Sequence, residues 1–322
     1  MNYSAINIGP IVKTLGLARR PRELWSASFL FSDLMGYIIN EVPKGVDIIS
    51  PAVCPPCSGV GLYPDRLFIK GDISDDQMEE IINAAWANFN KEVFPDKNVR
   101  EYFTIMNASV EADHDYEAVK KLNAILDRLE LNVMASDHAS RDKVIDLIQM
   151  KSESPLFEHG RGSKDFPVES LKDIAEVSFK SKAIGERKSF HDYVCIVQAD
   201  GDNVGSYVTS SALKQEQLME VSSALLEFGI KAKTAIEEFG GTPVYAGGDD
   251  LLFIAPVIGE DGKICDKGIY GPYKQSQRGP IYHVFAKQLV SEGKAYPVFT
   301  TKEELDYFIE GVNKALTTIM KR

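Results

Sequence analysis

Three aspartates in the second half of the chain are the residues best suited to chemistry. Asp200 follows an apolar run, and Asp249 and Asp250 follow two glycines in the order Gly-Gly-Asp-Asp. Adjacent carboxylates beside apolar segments repel each other and are costly to desolvate unless a cation neutralises them. Carboxylate oxygens are the ligands that Mg²⁺ and Mn²⁺ prefer. The pattern favours a divalent metal site, with an ordinary solvated turn as the alternative.

The segments around these aspartates predict a strand, a helix and a hairpin. Residues 193–198 are typical of a buried strand, and residues 242–246 and 251–256 flank the glycines as the strands of a tight hairpin. A long amphipathic helix between them could return the chain beside the first strand. That order would bring the three aspartates to one edge of a sheet. The residues expected on the buried face of the helix are Leu218, Val221, Leu225, Phe228, Ala232, Ala235 and Phe239.

The glycines and the acidic loop exclude some alternatives. Gly247 and Gly248 suit a tight turn, and without side chains they would let a nucleotide approach the backbone closely. The loop that begins at Asp200 resembles the start of a calcium-binding loop, but Ser211 stands where glutamate is needed. The chain contains neither the phosphate-binding P-loop pattern nor the dinucleotide-binding glycine pattern.

The first 70 residues repeat the same order of elements. Strands are predicted at residues 2–9, 46–49 and 61–70, and an amphipathic helix at residues 21–40. Aligning the apolar residues of the third strand with those after Asp250 sets Asp65 opposite that aspartate. The order indicates either a duplicated βαββ unit whose first copy has lost most of its carboxylates, or two ordinary α+β units.

The region between these units is predicted to be mainly helical. Ser74-Asp-Asp-Gln77 is a capping box that opens a helix, and further helices are expected at residues 115–134 and 140–150. Residues 151–170 mix glycine, serine, proline and charges without a period, which predicts a linker or mobile loop. His159 in that loop is expected to be solvated.

Composition limits the class of protein. The chain is 44% hydrophobic and 26% charged, which is typical of a soluble globular protein, and its 322 residues are long enough for two domains. The chain contains neither a long apolar run nor a recognisable signal peptide, so we expect no membrane span and a cytoplasmic location. The net charge of −11 argues against a self-sufficient nucleic-acid binder and suits a component with basic partners. Cys54 and Cys57 have the spacing of a zinc half-site or redox pair, or belong to a proline-rich loop.

The residues resemble those of a known family. Residues 199–205 and 245–253 look like the palm domain of the large subunit of type III CRISPR effector complexes, a relative of the GGDEF nucleotide cyclases. Four N-terminal segments resemble the Cmr (III-B) form of that subunit, at residues 6–10, 14–19, 22–33 and 61–66. The resemblance implies an α+β fold with two ferredoxin-like palm modules joined by a helical region. The implied domains are an inactive palm at 1–112, a helical region and linker at 113–190, the palm core with the Gly-Gly-Asp-Asp motif at 191–258, and an atypical tail at 259–322.

The resemblance also implies a function. In that family the active palm makes cyclic oligoadenylate or a related nucleotide signal from ATP, with Mg²⁺ or Mn²⁺, when target RNA binds. The partners would be other subunits of a CRISPR ribonucleoprotein complex and, through them, guide and target RNA. Two alternatives stay open: a stand-alone cyclase that makes a cyclic dinucleotide as a palm–palm homodimer, and an inactive scaffold. The implied catalytic and metal-binding residues are Asp200, Asp249 and Asp250, and the implied nucleotide-binding residues are Gly247, Gly248, Asp202 and Asn203.

The tail departs from that family's pattern. Residues 270–305 resemble a short segment of glutamyl-tRNA synthetases. The nucleotide-binding signatures of those synthetases are absent, so aminoacylation is not predicted. No His-Asp nuclease domain, which some family members carry, is recognisable. Whether the active palm is complete therefore stays open at the level of sequence.

Overall fold

The computed structural model describes residues 1–131, 138–150, 154–176, 193–213, 217–257 and 279–293. One compact unit extends from Met1 to Cys265 and a second from Asp266 to Arg322. The described part of the second unit contains one helix, Gly279–Ser291. No described helix has the length and apolar character needed to cross a membrane.

The first palm module contains a four-stranded antiparallel sheet in the order β2-β3-β1-β4. This βαββαβ arrangement, with β1 at the centre, is ferredoxin-like and confirms the predicted fold class. The strands are β1 (Asn2–Gly9), β2 (Asp47–Ser50), β3 (Arg66–Lys70) and β4 (Thr104–Glu111). The helices are α1 (Ile11–Leu15), α2 (Pro21–Glu41), α3 (Asp75–Val93) and α4 (Asp115–Glu130).

Helices α2 and α3 cover one face of this sheet, and α4 covers the other. The apolar stripe of α2, which includes Leu30 and Leu34, is buried against Ile6 and Ile8 of β1. Burial of such side chains supplies most of the driving force for folding. The predicted capping box is confirmed, because the Ser74 hydroxyl accepts from the Gln77 N–H and the Gln77 side chain accepts in return. The first palm therefore has a hydrophobic core on each side of its sheet.

Residues 154–170 are not a linker, so that prediction was wrong. They include helix α6 (Pro155–Arg161), which follows α5 (His138–Gln149) and precedes α7 (Leu171–Ala175). Phe157 and Phe166 are buried beside Trp25 of α2, with ring centroids 5.5 and 5.4 Å away. The two phenylalanines are nine positions apart and follow no helical or strand period, so only their packing partner reveals them as core residues.

His159 lies beside acidic side chains, so the prediction that it is solvated was wrong. Its Nδ1 lies 2.9 Å from Oδ2 of Asp33 on α2, and its Nε2 lies 3.6 Å from Oε2 of Glu92 on α3. Tyr37 donates a hydrogen bond of 2.6 Å to the same Glu92 oxygen. The hydrogen bond to Asp33 raises the pKa of His159 above its usual value, although burial opposes the shift. The histidine therefore joins α6 to two helices of the first palm.

We expect this contact to weaken as the pH rises. Because the pKa of His159 is raised in the folded state, its stabilising contribution is complete below about pH 6.5 and is lost through the raised folded pKa. The facing charges are Asp33, Glu92 and Glu158. Unfolding free energies of the wild type and of His159→Gln should differ most near pH 6 and converge towards pH 9. A difference that stays constant or grows with pH would contradict the assignment.

The second palm module contains a three-stranded antiparallel sheet in the order β5-β7-β6. Its register matches the first palm, since Ile6 pairs with Leu67 there and Gln198 pairs with Leu252 here. The alignment that set Asp65 opposite Asp250 is therefore also the structural correspondence. The elements are β5 (Val194–Ala199), α8 (Val204–Val208), α9 (Gln217–Glu238), β6 (Thr242–Gly247) and β7 (Asp250–Pro256).

The buried face of α9 agrees with the predicted one at Leu218 but not at Phe228 or Ala235. Phe228 is 48% exposed, whereas Gly229 and Ile236 are buried. A Cβ atom at Gly229 would lie 2.5 Å from the carbonyl oxygen of Ala246 in β6, so only glycine permits this approach. The helix contacts the sheet through its smallest residue, which hydrophobic periodicity cannot reveal.

Candidate functional site

The Gly-Gly-Asp-Asp residues form the predicted turn between β6 and β7. Gly247 pairs with Asp250, and Gly248 and Asp249 occupy the turn. Gly248 has a φ of 64°, which glycine adopts with little strain, and a Cβ atom there would have nothing within 4 Å. The backbone of the turn is therefore open on the side of Gly248.

Asp200 lies beside this turn because β5 pairs with β7. The last residue of β5, Ala199, pairs with Leu251. Asp200, which follows Ala199, is therefore a neighbour of Asp250, which precedes Leu251. A Cβ atom at Gly201 would lie 2.8 Å from Cβ of Asp249 and 3.2 Å from its Oδ2. The structure thus brings the three aspartates to one edge of the sheet, as the order of elements predicted.

The charges at this edge are mutually repulsive. Burial raises the pKa of Asp250 above its usual value, and Asp249, Asp200 and Asp65 raise it further. Burial, followed by the charges of Asp250 and Asp200, also raises the pKa of Tyr245 on β6. Three acids therefore act on one partly buried carboxylate, and this arrangement gains stability from a bound cation.

A cavity of about 260 Å³ adjoins Asp250. Its walls combine apolar and aromatic side chains of α1, α2 and the loop before β3 with Tyr245 and Gly247 of β6. Asp65 and Asp250 are its two carboxylates. Arg66 lies near Asp65, but its guanidinium bonds to Asn123 and Asp127 on α4 at 2.6 and 2.7 Å. The cavity is therefore apolar with one acidic end, and both palms contribute to it.

The two other predicted nucleotide-binding residues lie on the surface. Asp202 and Asn203 are exposed between β5 and α8, and Asn203 has a φ of 62°. Neither residue lines the cavity beside Asp250. Their contact with a nucleotide stays a prediction.

The donor set at the edge suits magnesium or manganese. All the candidate donors are carboxylate oxygens, and acids dominate the charges that act on Asp250. Within the described ranges, no group of three or more His, Cys, Asp or Glu side chains, the three aspartates included, is placed so that it could hold a metal ion by itself. Mg²⁺ commonly takes one or two carboxylates together with substrate phosphates and water, so an incomplete protein cage fits it. Metal binding by Asp200, Asp249 and Asp250 stays a prediction.

The cysteine pair fits a metal less well. Cys54 is partly buried and Cys57 is exposed, and neither is in a disulfide. Burial raises the pKa of the Cys54 thiol to about 12. Zinc binds the thiolate, and this environment favours the neutral thiol.

Sequence reasoning missed the contribution of the first palm to the site. The prediction of a third strand at residues 61–70 was too long, because β3 begins at Arg66. Gly61, Tyr63, Pro64 and Asp65 instead line the cavity, and Gly61 forms a β-bridge with Tyr245. The run Tyr63-Pro-Asp65 was a usable signal, since proline commonly ends or precedes a strand.

Comparisons with known proteins identify the family. Residues 193–322 match the family described as Cas10/Cmr2, second palm domain, and residues 3–89 match CRISPR-associated protein Cmr2, N-terminal. The two matches describe parts of one kind of subunit, in the expected order: the first covers β1 to β3 and most of α3 of the first palm, and the second includes the described strands of the second palm. The chain belongs to the Cas10/Cmr2 family. The Cas10/Cmr2 palm match also extends across residues 259–322, which the sequence had suggested to be atypical.

Solved structures of Cas10/Cmr2-type subunits are similar to this chain. The crystal structure of a Csm1-Csm4 cassette in complex with AMPPNP has a TM-score of 0.47 and 14% identity, covering 79% of this chain and 45% of that one. The cryo-EM structure of the type III-B Cmr-beta bound to cognate target RNA has a TM-score of 0.49 and 11% identity, covering 80% and 61%. The chain thus spans about half the length of these relatives.

The resemblance to glutamyl-tRNA synthetases is confirmed for a short segment. Glutamate–tRNA ligase of Clostridioides difficile (strain 630) is 54% identical over 50 residues, which are 16% of this chain and 10% of the ligase. The ligase of Clostridium beijerinckii (strain ATCC 51743 / NCIMB 8052) is 57% identical over 47 residues, or 15% and 8%. The chain therefore spans about a tenth of these curated relatives. Most of residues 270–305, which carried the resemblance in the sequence, lie outside the described residues.

Proposed function

We propose that the chain is the palm subunit of a type III CRISPR antiviral complex and makes cyclic oligoadenylate or a related nucleotide signal from ATP. The observation that carries this proposal is the acidic edge of the second palm, which opens onto a cavity that both palms line. Membership of the Cas10/Cmr2 family supports a complex with further subunits, guide RNA and target RNA. The net charge of −11 agrees with this arrangement, because basic partners would then hold the RNA.

The cavity suits part of a nucleotide. Binding pockets for whole ligands are commonly about 300–1,000 Å³, so a cavity of about 260 Å³ suits a base and ribose while the phosphates lie outside. Phe31, Tyr63 and Tyr245 offer apolar and aromatic surface to a base. Asp65 offers a carboxylate that can accept a hydrogen bond from a ribose hydroxyl. The triphosphate would extend towards the turn at Gly248, whose backbone has open space beside it.

The three aspartates would act together near the phosphates of the bound nucleotide. Asp200, Asp249 and Asp250 would hold Mg²⁺ or Mn²⁺, which when bound would neutralise phosphate charge and favour ionisation of the attacking hydroxyl. Asp249 and Asp250 are fixed by the pairing of β6 with β7, and Asp200 by that of β5 with β7. Such fixed carboxylates lower the cost of orienting the reactants. In the proposed reaction a ribose 3′-hydroxyl attacks an α-phosphate, and pyrophosphate leaves.

The contact between the palms favours a subunit of a complex over a stand-alone homodimer. A palm–palm homodimer needs the acidic edge of one chain to face that of a second chain. Here the hairpin already contacts the first palm of its own chain, where Gly61 accepts a hydrogen bond of 2.9 Å from the Ala246 N–H. The second palm therefore has a partner within the chain.

The assembled complex tests the proposal. It is incubated with ATP, Mg²⁺ or Mn²⁺, and target RNA, and products are separated by chromatography and identified by mass spectrometry. We expect an adenylate product that requires the target RNA and disappears with EDTA. The absence of any such product with either metal would favour the inactive scaffold, and a product that survives EDTA would exclude metal dependence.

A further inference from the structure

A short segment of the first palm connects helix α6 to the candidate active site. We define residues 58–63 as the strap. At one end the Gly59 N–H donates a hydrogen bond of 2.5 Å to the Gly160 carbonyl oxygen in α6. At the other end Gly61 forms the β-bridge with Tyr245 and accepts the hydrogen bond from Ala246. The strap thus lies between α6 and the strand that leads into the Gly-Gly-Asp-Asp turn.

The strap also occupies the space beside Gly247. A Cβ atom at Gly247 would lie 3.3 Å from the carbonyl oxygens of both Leu62 and Tyr63. The side-chain-free surface of this glycine, which the sequence suggested for a nucleotide, is therefore covered on that side by the first palm. A shift of the strap by a few tenths of an ångström would change its contact with the hairpin.

Helix α2 fixes the strap from beneath. The Ser32 hydroxyl accepts a hydrogen bond of 3.1 Å from the Tyr63 N–H, and its Cβ would lie 3.2 Å from a Cβ at Gly61. Trp25 donates a hydrogen bond of 3.1 Å from Nε1 to the Gly59 carbonyl oxygen. These contacts leave the strap little freedom to move independently of its neighbours.

Helix α6 packs closely against α2 at Gly160, the residue that binds the strap. A Cβ atom at Gly160 would lie 2.7 Å from Cζ of Phe29 and 2.9 Å from Cη2 of Trp25. The preceding residue, His159, is held by Asp33 at 2.9 Å. Close-packed groups transmit displacements to their neighbours, because the interior contains few voids that could absorb them.

We propose that the strap positions the Gly-Gly-Asp-Asp hairpin and that α6 sets the place of the strap, with Ser32 and Gly160 as positioning residues. The consequence for catalysis rests on the proposed function, but the mechanical coupling does not. Movement of α6 would change the distance between the acids and a nucleotide held by the first palm. The helical region would in this way act on a site to which it contributes no catalytic group.

Hydrogen–deuterium exchange of the complete chain tests this coupling. We expect Gly160→Ala, which forces α6 away from α2, to raise amide exchange in residues 242–252 several-fold while β4 keeps its wild-type exchange. Gly16→Ala is the matched control, because the nearest atom to its added Cβ is 3.5 Å away and its φ is −66°. Faster exchange confined to α6 and the strap, with β6 and β7 unchanged, would overturn the proposal.

A second pair of variants covers the case in which Gly160→Ala does not fold. Ser32→Ala removes the acceptor of the Tyr63 N–H, and we expect faster exchange in residues 242–252. Ser26→Ala is the control, because Ser26 is buried on the same helix and its hydroxyl makes no hydrogen bond in the described structure. A purely structural role for Ser32 would raise exchange evenly across the first palm, which would also overturn the proposal. Exchange reports coupling even in a complex that makes no nucleotide, so the failure of the two proposals is distinguishable.

Discussion

If the proposed function holds, replacing Asp250 by asparagine is expected to lower nucleotide synthesis by about 10²- to 10⁴-fold, because the proposed metal site would lose one carboxylate and with it several kcal/mol of transition-state stabilisation. Of the three acids, Asp250 has the most structural evidence for a role in the reaction. It pairs with Gly247 at the turn, lines the cavity, and has a pKa raised by burial and by three neighbouring acids. Asparagine keeps its shape and removes its charge.

The same substitution should leave the fold intact or make it more stable. Without the charge, the repulsion from Asp249, Asp200 and Asp65 at this position disappears. A loss of activity together with equal or greater stability is typical of a functional site, because binding groups are placed at a cost to the folded state. Thermal unfolding of the purified variant and product formation by the assembled complex measure the two effects.

The matched control is Asp142→Asn, an exposed aspartate on α5. We expect it to leave both synthesis and unfolding unchanged. Binding of Mn²⁺ in the presence of ATP gives a readout independent of turnover, and Asp250→Asn should weaken it. Wild-type synthesis by the Asp250 variant would exclude this residue from the reaction.

Arg22→Met is expected to produce the largest loss of stability, about 3–5 kcal/mol in the free energy of unfolding, as is common when one partner of a buried ion pair is removed. The Arg22 guanidinium is 1% exposed and donates to the carbonyl oxygens of Met150 and Gln149 at 2.5 and 3.3 Å. It also lies 3.7 Å from the buried carboxylate of Glu23. Methionine fills a similar volume but leaves the carboxylate and both carbonyl groups without this partner.

Arg20→Met provides the control on the same helix. Its Nε lies 3.9 Å from the same Glu23 carboxylate, but the side chain is 50% exposed. Exposed ion pairs contribute about 0–1 kcal/mol, so the loss should be correspondingly small. Urea unfolding of both variants measures the difference, and the double variant Arg22→Met with Glu23→Gln should recover part of it. Equal losses for the two arginine variants would contradict the role assigned to the buried guanidinium.

The effect of Arg22→Met should extend to the helical region. Gln149 ends α5, and Arg22 also lies 3.2 Å from Glu169 in the segment before α7. The buried arginine therefore fixes both flanks of α6, the helix from which the strap is held. Stability of the first palm and the position of the second palm's hairpin thus depend on a common set of contacts.

The sequence by itself determined the order of the elements and the acids of the candidate site. Hydrophobic periodicity and turn residues depend on local geometry, which the amino acids specify directly. The Gly-Gly-Asp-Asp turn, the capping box at Ser74 and the correspondence of Asp65 with Asp250 are all of this kind. The adjacency of the three aspartates could also be predicted, because the crossover helix allows β5 to lie in the same sheet as the hairpin.

Only the tertiary structure decided what surrounds those acids. His159 and Phe157 lie in a segment without period, and their partners on α2 are more than 120 positions away in the chain. Positions 229 and 247 favour glycine because the carbonyl oxygens of other segments pack against them. Such contacts depend on which surfaces meet after the elements have formed, so the sequence specified the acids, and packing between the two palms determined the cavity and the strap beside them.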